Sequence, residues 1–387
     1  MVPIWGRPVG EGAIRVLTII NLHSNRENDY TQNMASLTET ALMARKLIKL
    51  SALVLAAILV LKLGISIVNT YFKVVNPPPP PPPTVAFGKL PAIEFPERLH
   101  PELTLRLETP TGGTPDLGDR ATIYLMPTFR SSFLALDAAN VTAKKMGFNN
   151  EPKEVTERRY RWESDIFLPS TLEMDIITGS FTLKRNWQAD PTILSDKQLP
   201  GKEQTDAEMT NFLRETGLLN DELTAGTTTI TYLKFSAGQY VTAVSLSEAD
   251  FVQVDLFRPS LSDVKILPTN PEKGIVRLIF SGSREAEKRI VQAEYNYFPI
   301  DFEQNATYPI KTASQAWREL QTREGFIASV GNNPGNIVPI RRIYLAYYDG
   351  ETSSGFLMPI IVFEGDNGFF GYVPAVTTEW LQPPLPS

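Results

Sequence analysis

From Leu50 to Leu61 the chain runs twelve residues without a charge (LSALVLAAILVL), and after Lys62 the apolar character resumes at Leu63, Ile65, Ile67, Val68, Tyr71 and Phe72. Apolar surface of that extent is costly in water, and residues 50–72 are long enough to cross a bilayer as one helix. Lys62 costs about 2.5–3.5 kcal/mol near a bilayer centre, but its stem lets the ammonium reach toward a headgroup and the surrounding apolar residues offset the cost. Residues 47–72 therefore read as a transmembrane signal anchor. A cleaved signal peptide would share the basic lead-in of Arg45, Lys46 and Lys49. Against it, no small-x-small cleavage site follows Leu61.

Six Lys/Arg precede residue 50, three of them touching the apolar run, whereas only Lys73 and Lys89 lie close on the far side. The positive-inside rule then leaves residues 1–46 as a cytoplasmic tail and puts the large C-terminal part outside the membrane. Residues 1–33 carry no sustained period and precede a second methionine, Met34, which would open a short leader with its basic flank correctly placed. Two readings stay open there, a mis-assigned start and an ordinary disordered tail. After the anchor, Pro77–Pro83 form an unbroken proline run. Seven prolines hold a polyproline II helix of roughly 22 Å, so residues 73–90 read as a stiff stalk.

The rest of the composition narrows the chemistry. The 387 residues contain no cysteine and two histidines, His23 and His100. That excludes disulfides, iron–sulfur clusters, cysteine nucleophiles and the usual zinc ligand sets, and calls for no cofactor. The net charge is −6, and removing residues 1–75 leaves 29 basic and 39 acidic residues. An acidic exterior part has no basic excess for nucleic acid and stays off anionic lipid.

Three times a helix-like stretch ends at a glycine and passes into alternating, β-rich sequence: about 131–146 before Gly147-Phe148, 206–216 before Gly217-Leu218, and 312–324 before Gly325-Phe326. Each pattern predicts a left-handed glycine cap with the next residue packing back on the helix. Ala139, Ala143 and Met146, then Met209, Phe212 and Leu213, then Ala313, Ala316, Trp317 and Leu320 recur at spacings of three and four, predicting buried faces. Strands are expected at 155–162, 171–178, 180–187, 228–235, 249–257, 274–280, 289–298, 340–348, 356–363 and 369–375. The fold class expected is α+β: the anchor, the proline stalk, then two or three helix-plus-antiparallel-meander modules at 91–200, 201–300 and 301–380, with a tail at 381–387.

The third unit reads Tyr-Pro-Ile-Lys-Thr-Ala-Ser-Gln-Ala-Trp-Arg-Glu-Leu from Tyr308, then Ile343-Tyr-Leu-Ala-Tyr-Tyr348, Leu357-Met-Pro-Ile-Ile-Val-Phe363 and Tyr372-Val-Pro-Ala375. Over about 70 residues this order resembles the exterior modules of the YycH/YycI regulators and the related PepSY-type domains. The acidic-residue-then-glycine ending of a PepSY domain is missing, and the proline stalk is no part of the resemblance. It implies a non-catalytic regulatory role, with an envelope membrane protein such as a sensor kinase, or a similar bitopic protein, as partner.

Residues that could carry chemistry are few. The sequence lacks a phosphate loop, a dinucleotide fingerprint and a nucleophile elbow. Glu173 and Asp175 lie two apart on one strand face, as a carboxylate pair does in a glycan-cleaving enzyme, though acidic residues on a solvated strand face are commoner. Asp366-Asn367-Gly368 reads as a tight turn, and Asn140-Val-Thr142 and Asn305-Ala-Thr307 match a glycosylation acceptor pattern that chance often produces. Aromatics concentrate between Tyr295 and Tyr372. Most are expected in the core, with the solvent-exposed tyrosines among Tyr344, Tyr347 and Tyr348 as the candidate binding residues and Trp317 packed on the meander. An interaction protein is thus the leading expectation, and a carboxylate-based hydrolase of wall glycans the alternative.

Overall fold

A computed structural model of the chain describes residues 33–75, 81–333 and 335–383; the expectations for residues 1–32 and for Pro77–Pro80 lie outside them. Residues Asn33–Val75 form one continuous helix. Within it Glu39–Tyr71 is long and apolar enough to cross a membrane. Its large apolar side chains from Leu42 to Tyr71 are 48–69% exposed, so this surface needs an apolar cover that the helix does not supply itself. Residues 82–387 form a second unit, of class α+β and mostly sheet.

Two sheets divide that second unit. The first has nine strands, all neighbours antiparallel, in the order Lys153–Glu154, Arg159–Ser164, Ser170–Asp175, Phe181–Arg185, Ile290–Tyr295, Val276–Ser281, Phe251–Phe257, Thr227–Ser236 and Gln239–Thr242. Two helix-then-meander runs therefore share one sheet, joined where the last strands of each, Phe181–Arg185 and Ile290–Tyr295, pair antiparallel. Helices Ala135–Lys145 and Lys202–Thr216 cover one face through Ala139, Ala143, Met209 and Leu213, as the three-four spacing predicts. Alternation carries the register: Val254, Leu256, Leu278 and Phe280 face these helices, while Phe251 and Ile279 join Trp187 on the opposite face. Each fully buried large apolar side chain here contributes about 1.5–3 kcal/mol.

The second sheet is built around the long strands Ile337–Asp349 and Phe356–Gly365, followed by Phe369–Pro374 and Phe326–Val330. The strand after the third helix, Phe326–Val330, lies beside the last strand and not beside the next one, so this region is not a simple meander. It also recruits strands from far upstream: Thr104–Leu107 and Ile266–Pro268 pair in parallel with Ile337–Asp349, and Arg120–Leu125 joins it to Asp301–Pro309. The boundaries expected at 200 and 300 thus do not separate independent sheets. Phe356–Gly365 is buried on both faces, which explains its uninterrupted Leu-Met-Pro-Ile-Ile-Val-Phe run: Ile361 and Phe363 meet helix Ala313–Gln321, while Ile360 and Val362 pack with Ile93 and Phe95.

The stalk is shorter than expected at its far end. Thr84 and Val85 hydrogen-bond to Thr307, and Leu90 is fully buried and bridged to Leu381, so residues 84–90 belong to the folded body, as does the start of the expected tail. Trp380 stacks edge-on against Tyr308 there.

Two helix ends follow the expected glycine cap. Gly147 and Gly217 have φ of +93° and +80°, with Phe148 N–H donating to Ala143 O and Leu218 N–H to Leu213 O. The third departs from it. Helix Ala313–Gln321 begins at a Thr312/Gln315 capping box and ends with Arg323 at φ +66°, while Gly325 has an ordinary φ. Gly325 is needed for proximity instead: a Cβ there would lie 2.8 Å from Leu320 Cδ1 and 3.1 Å from Tyr372 O. Trp317 is half-buried with its ring 5.6 Å from that of Phe363, on the sheet as expected. Gly325→Ala is therefore expected to destabilise the protein by about 1–3 kcal/mol through overpacking. Arg323→Gly should cost nothing or gain up to about 1 kcal/mol by relieving the left-handed strain. Denaturant unfolding followed by tryptophan fluorescence checks both, and the reverse order of effects would return the cap to Gly325.

Candidate functional site

A single arginine ties the two sheets together. Arg258 follows the last residue of strand Phe251–Phe257, and its side chain is 1% exposed. Its Nε donates to Asp349 Oδ2 at 2.6 Å, Nη1 to Glu222 Oε1 at 2.5 Å and Nη2 to the Phe298 carbonyl at 2.5 Å. Asp349 is the last residue of strand Ile337–Asp349 in the second sheet, and Glu222 sits in the short helix Asp221–Thr224 that Asn220 caps. The ring of Tyr297 lies 4.7 Å under the guanidinium and its hydroxyl donates to Glu222 Oε2 at 2.8 Å. Planar, forked donors suit arginine to this role, and a lysine could not make the same three contacts in one plane.

The charges around Arg258 are unequal. Burial works against its positive charge, yet Asp349 and Glu222 together hold it above its ordinary value. Burial pushes the Asp349 carboxyl up and, with the nearby charge of Glu222, outweighs the pull of Arg258. Asp349 Oδ1 has no hydrogen-bond partner; among the described residues the only other buried side-chain polar atom so placed is Asp206 Oδ1. A buried acceptor left unmatched costs about 1–3 kcal/mol. By contrast, the equally buried Asp255 accepts from Gly274 N, Gln253 Nε2 and Arg277 Nε.

Asp349 also forms part of the wall of a cleft of about 980 Å³. This cleft opens along the seam between the sheets, with Glu173, Asp175 and Tyr295 from the first, the 268–274 loop and the 351–353 turn on the other side, and Thr128 and Ser131 at one end. Its volume lies at the upper end of the range for ligand pockets. Hydroxyl groups and carboxylates dominate the wall. Tyr348 stands behind it, its hydroxyl 2.9 Å from Thr269 Oγ1.

The residues singled out in the sequence separate on this map. Glu173 and Asp175 do line the cleft together, but Arg161 Nε holds Glu173 at 2.8 Å, and Asp175 is engaged by Arg158 at 2.9 Å and by the amides of Ile177 and Thr178. Their oxygens serve ion pairs and a turn. The expectation of exposed tyrosines needs correction. Tyr347 and Tyr348 are buried, the first against Tyr124 and the second against Phe95 and Tyr372, because strand Ile337–Asp349 is covered on both faces at this end. Tyr344 is half-buried, donating to Glu364 and lying under Lys265. Asn140 Oδ1 accepts from the fully buried Trp162 Nε1, which accounts for that asparagine without a glycan. His100 is exposed, and Asp366 accepts from Nε and Nη2 of Arg341, whose Nη1 donates to Glu108, beside a turn with Asn367 at φ +55°. Sequence reasoning missed Arg258, Glu222 and Asp349; a lone arginine closing the apolar strand Phe-Val-Gln-Val-Asp-Leu-Phe was the available signal.

A scan against protein-family models finds no match, and a comparison with curated proteins finds none either.

Removing Arg258 strands the buried Asp349 and the half-buried Glu222, so Arg258→Met is expected to cost about 3–5 kcal/mol in a denaturant titration. A loss below about 1 kcal/mol would mean that the seam does not depend on it. Tyr297 gives a pH test. Burial, then the charge of Glu222, push its phenol up to about 12. A folded-state value above the unfolded value of about 10 contributes stability that is complete below pH 10 and is lost as pH rises through about 12. Tyrosinate absorbance should accordingly show one phenol fewer titrating near pH 12 in Tyr297→Phe, with flatter alkaline unfolding; an unchanged titration would refute the assignment.

Proposed function

We propose that this chain is a membrane-anchored, extracytoplasmic interaction protein of a bacterial cell envelope, with a regulatory and non-catalytic role. The observation that carries this reading is the pairing of one long apolar helix, led by Arg45, Lys46 and Lys49, with a separate two-sheet body that offers a wide polar cleft. The basic flank favours a cytoplasmic N-terminus, so the acidic body faces outward. The proline run suits a spacer that lifts the body off the headgroups. Inside the cleft, the carboxylates that a hydrolase would use are engaged by arginines, which favours recognition over acid–base chemistry. The partner is then an envelope membrane protein, a sensor kinase or a similar bitopic protein, reached in the plane of the membrane.

Two measurements test the reading together. Protease added to intact, wall-stripped cells should remove the part beyond the proline run, and full protection would sink the orientation. A photo-crosslinking residue at the exposed Thr352 on the cleft rim should capture a membrane protein that the same residue at Glu248, on an exposed turn outside the cleft, does not. Equal capture at both positions, or none, would count against the cleft as the docking place.

A further inference from the structure

We propose that the seam cleft receives a primary ammonium group, carried by a lysine-bearing extended segment of the partner; this rests on the interaction reading above and adds to it the chemistry of what docks. Three observations converge on a cation. First, the wall holds six carboxylates against three basic side chains. Second, each ion pair takes one acid and one base, and Glu173 and Asp349 are paired from outside the wall by Arg161 and Arg258. Arg158 is engaged by Asp175 and Lys273 by Glu294, which leaves Arg159 as the one base of the wall without a carboxylate partner among the described residues. Among the described residues the exposed Glu157 and Glu351 have no ion pair, and Asp349 must share Arg258 with Glu222. Third, Asp349 Oδ1 is a buried acceptor without a donor.

These features differ in depth, and that matters for recognition. Asp349 borders the cleft from a buried position and is paired with Arg258, so the exposed Glu157 and Glu351 contribute most of the negative potential that an arriving cation meets. The hydroxyls of Thr128, Ser131, Thr352 and Ser353 accept hydrogen bonds from ammonium or from a peptide backbone equally well. An ammonium, compact and with three donors, can be shared among exposed carboxylates and hydroxyls at once. A segment bearing aspartate or glutamate would meet repulsion at both levels, which makes charge sign the basis of selectivity.

The test uses the full chain in detergent micelles and fluorescence anisotropy of a labelled, extended peptide of alternating lysine and threonine. The expected result is saturable binding that weakens about tenfold or more when the lysines are acetylated. The double substitution Glu157→Gln with Glu351→Gln should weaken it about threefold or more, whereas Glu248→Gln with Glu303→Gln, away from the cleft, should leave it unchanged. Asp349→Asn should weaken it too, and since that change strikes the arginine junction, the exposed pair keeps the test decisive if Asp349→Asn fails to fold. Spermidine serves as the free-amine arm, expected to bind more weakly than the peptide. Unsaturable binding, equal binding of the acetylated peptide, equal loss in both double variants, or spermidine binding as tightly as the peptide would each overturn the proposal. If the peptide fails while crosslinking at Thr352 persists, this inference falls alone; if both fail, the docking reading falls with it.

Discussion

The second unit depends on the junction at Arg258. The strand before this arginine belongs to the first sheet, and its Asp349 partner ends a strand of the second. Burying that guanidinium is costly, and three acceptors with a tyrosine face offset the cost. Breaking any one contact leaves its acceptor and one arginine N–H unmatched at a site where burial makes that costly. The cleft lies beside this junction, with Asp349 and Phe298 in its wall.

Charge is distributed around this cleft by local rules with a collective result. Strand Ser170–Asp175 alternates buried and half-buried residues, which turns Glu173 and Asp175 toward the same side. Neighbouring Arg158 and Arg161 lie across the strand pair and meet them, the usual cross-strand pairing. Among the described residues, the acids of the wall left without an ion pair, Glu157 and Glu351, lie between strands. The site's character comes from turns and strand ends placed on a rigid sheet frame, as binding surfaces commonly are.

Much of the local structure was readable along the chain. Helix faces at Ala139, Met209 and Ala316 followed the three-four spacing, and Gly147 and Gly217 took the left-handed caps, because both properties are decided within a few residues. Gly325 looked the same and was not, since Arg323 had already closed the helix and the glycine answered to the closeness of Leu320 and Tyr372. Strand Asp301–Pro309 was missed because its first half is exposed and bulged, which erases alternation. Ile266–Pro268 is too short to show a period. The exposed face expected of Tyr347 and Tyr348 failed for a related reason: burial on both sides of a strand depends on what covers it, and the covering segments here come from residues 93–95 and 124–129.

By itself the sequence determined that the chain carries an apolar helix fit to span a membrane, that its remainder is α+β, and that metal–thiolate, disulfide and nucleic-acid roles are poor matches for its composition. Those conclusions rest on sums and periods, which need no knowledge of distant neighbours. Only the tertiary structure decided that the strand runs following the first two helices merge into one sheet, that upstream strands complete the other, and that a seam cleft lies between them. Arg258 reaches Glu222 and Asp349 across 36 and 91 positions, and Phe181–Arg185 meets Ile290–Tyr295 across more than 100. Such pairings are chosen by which edges and charges remain unsatisfied once the local elements have formed, and that competition is settled in three dimensions.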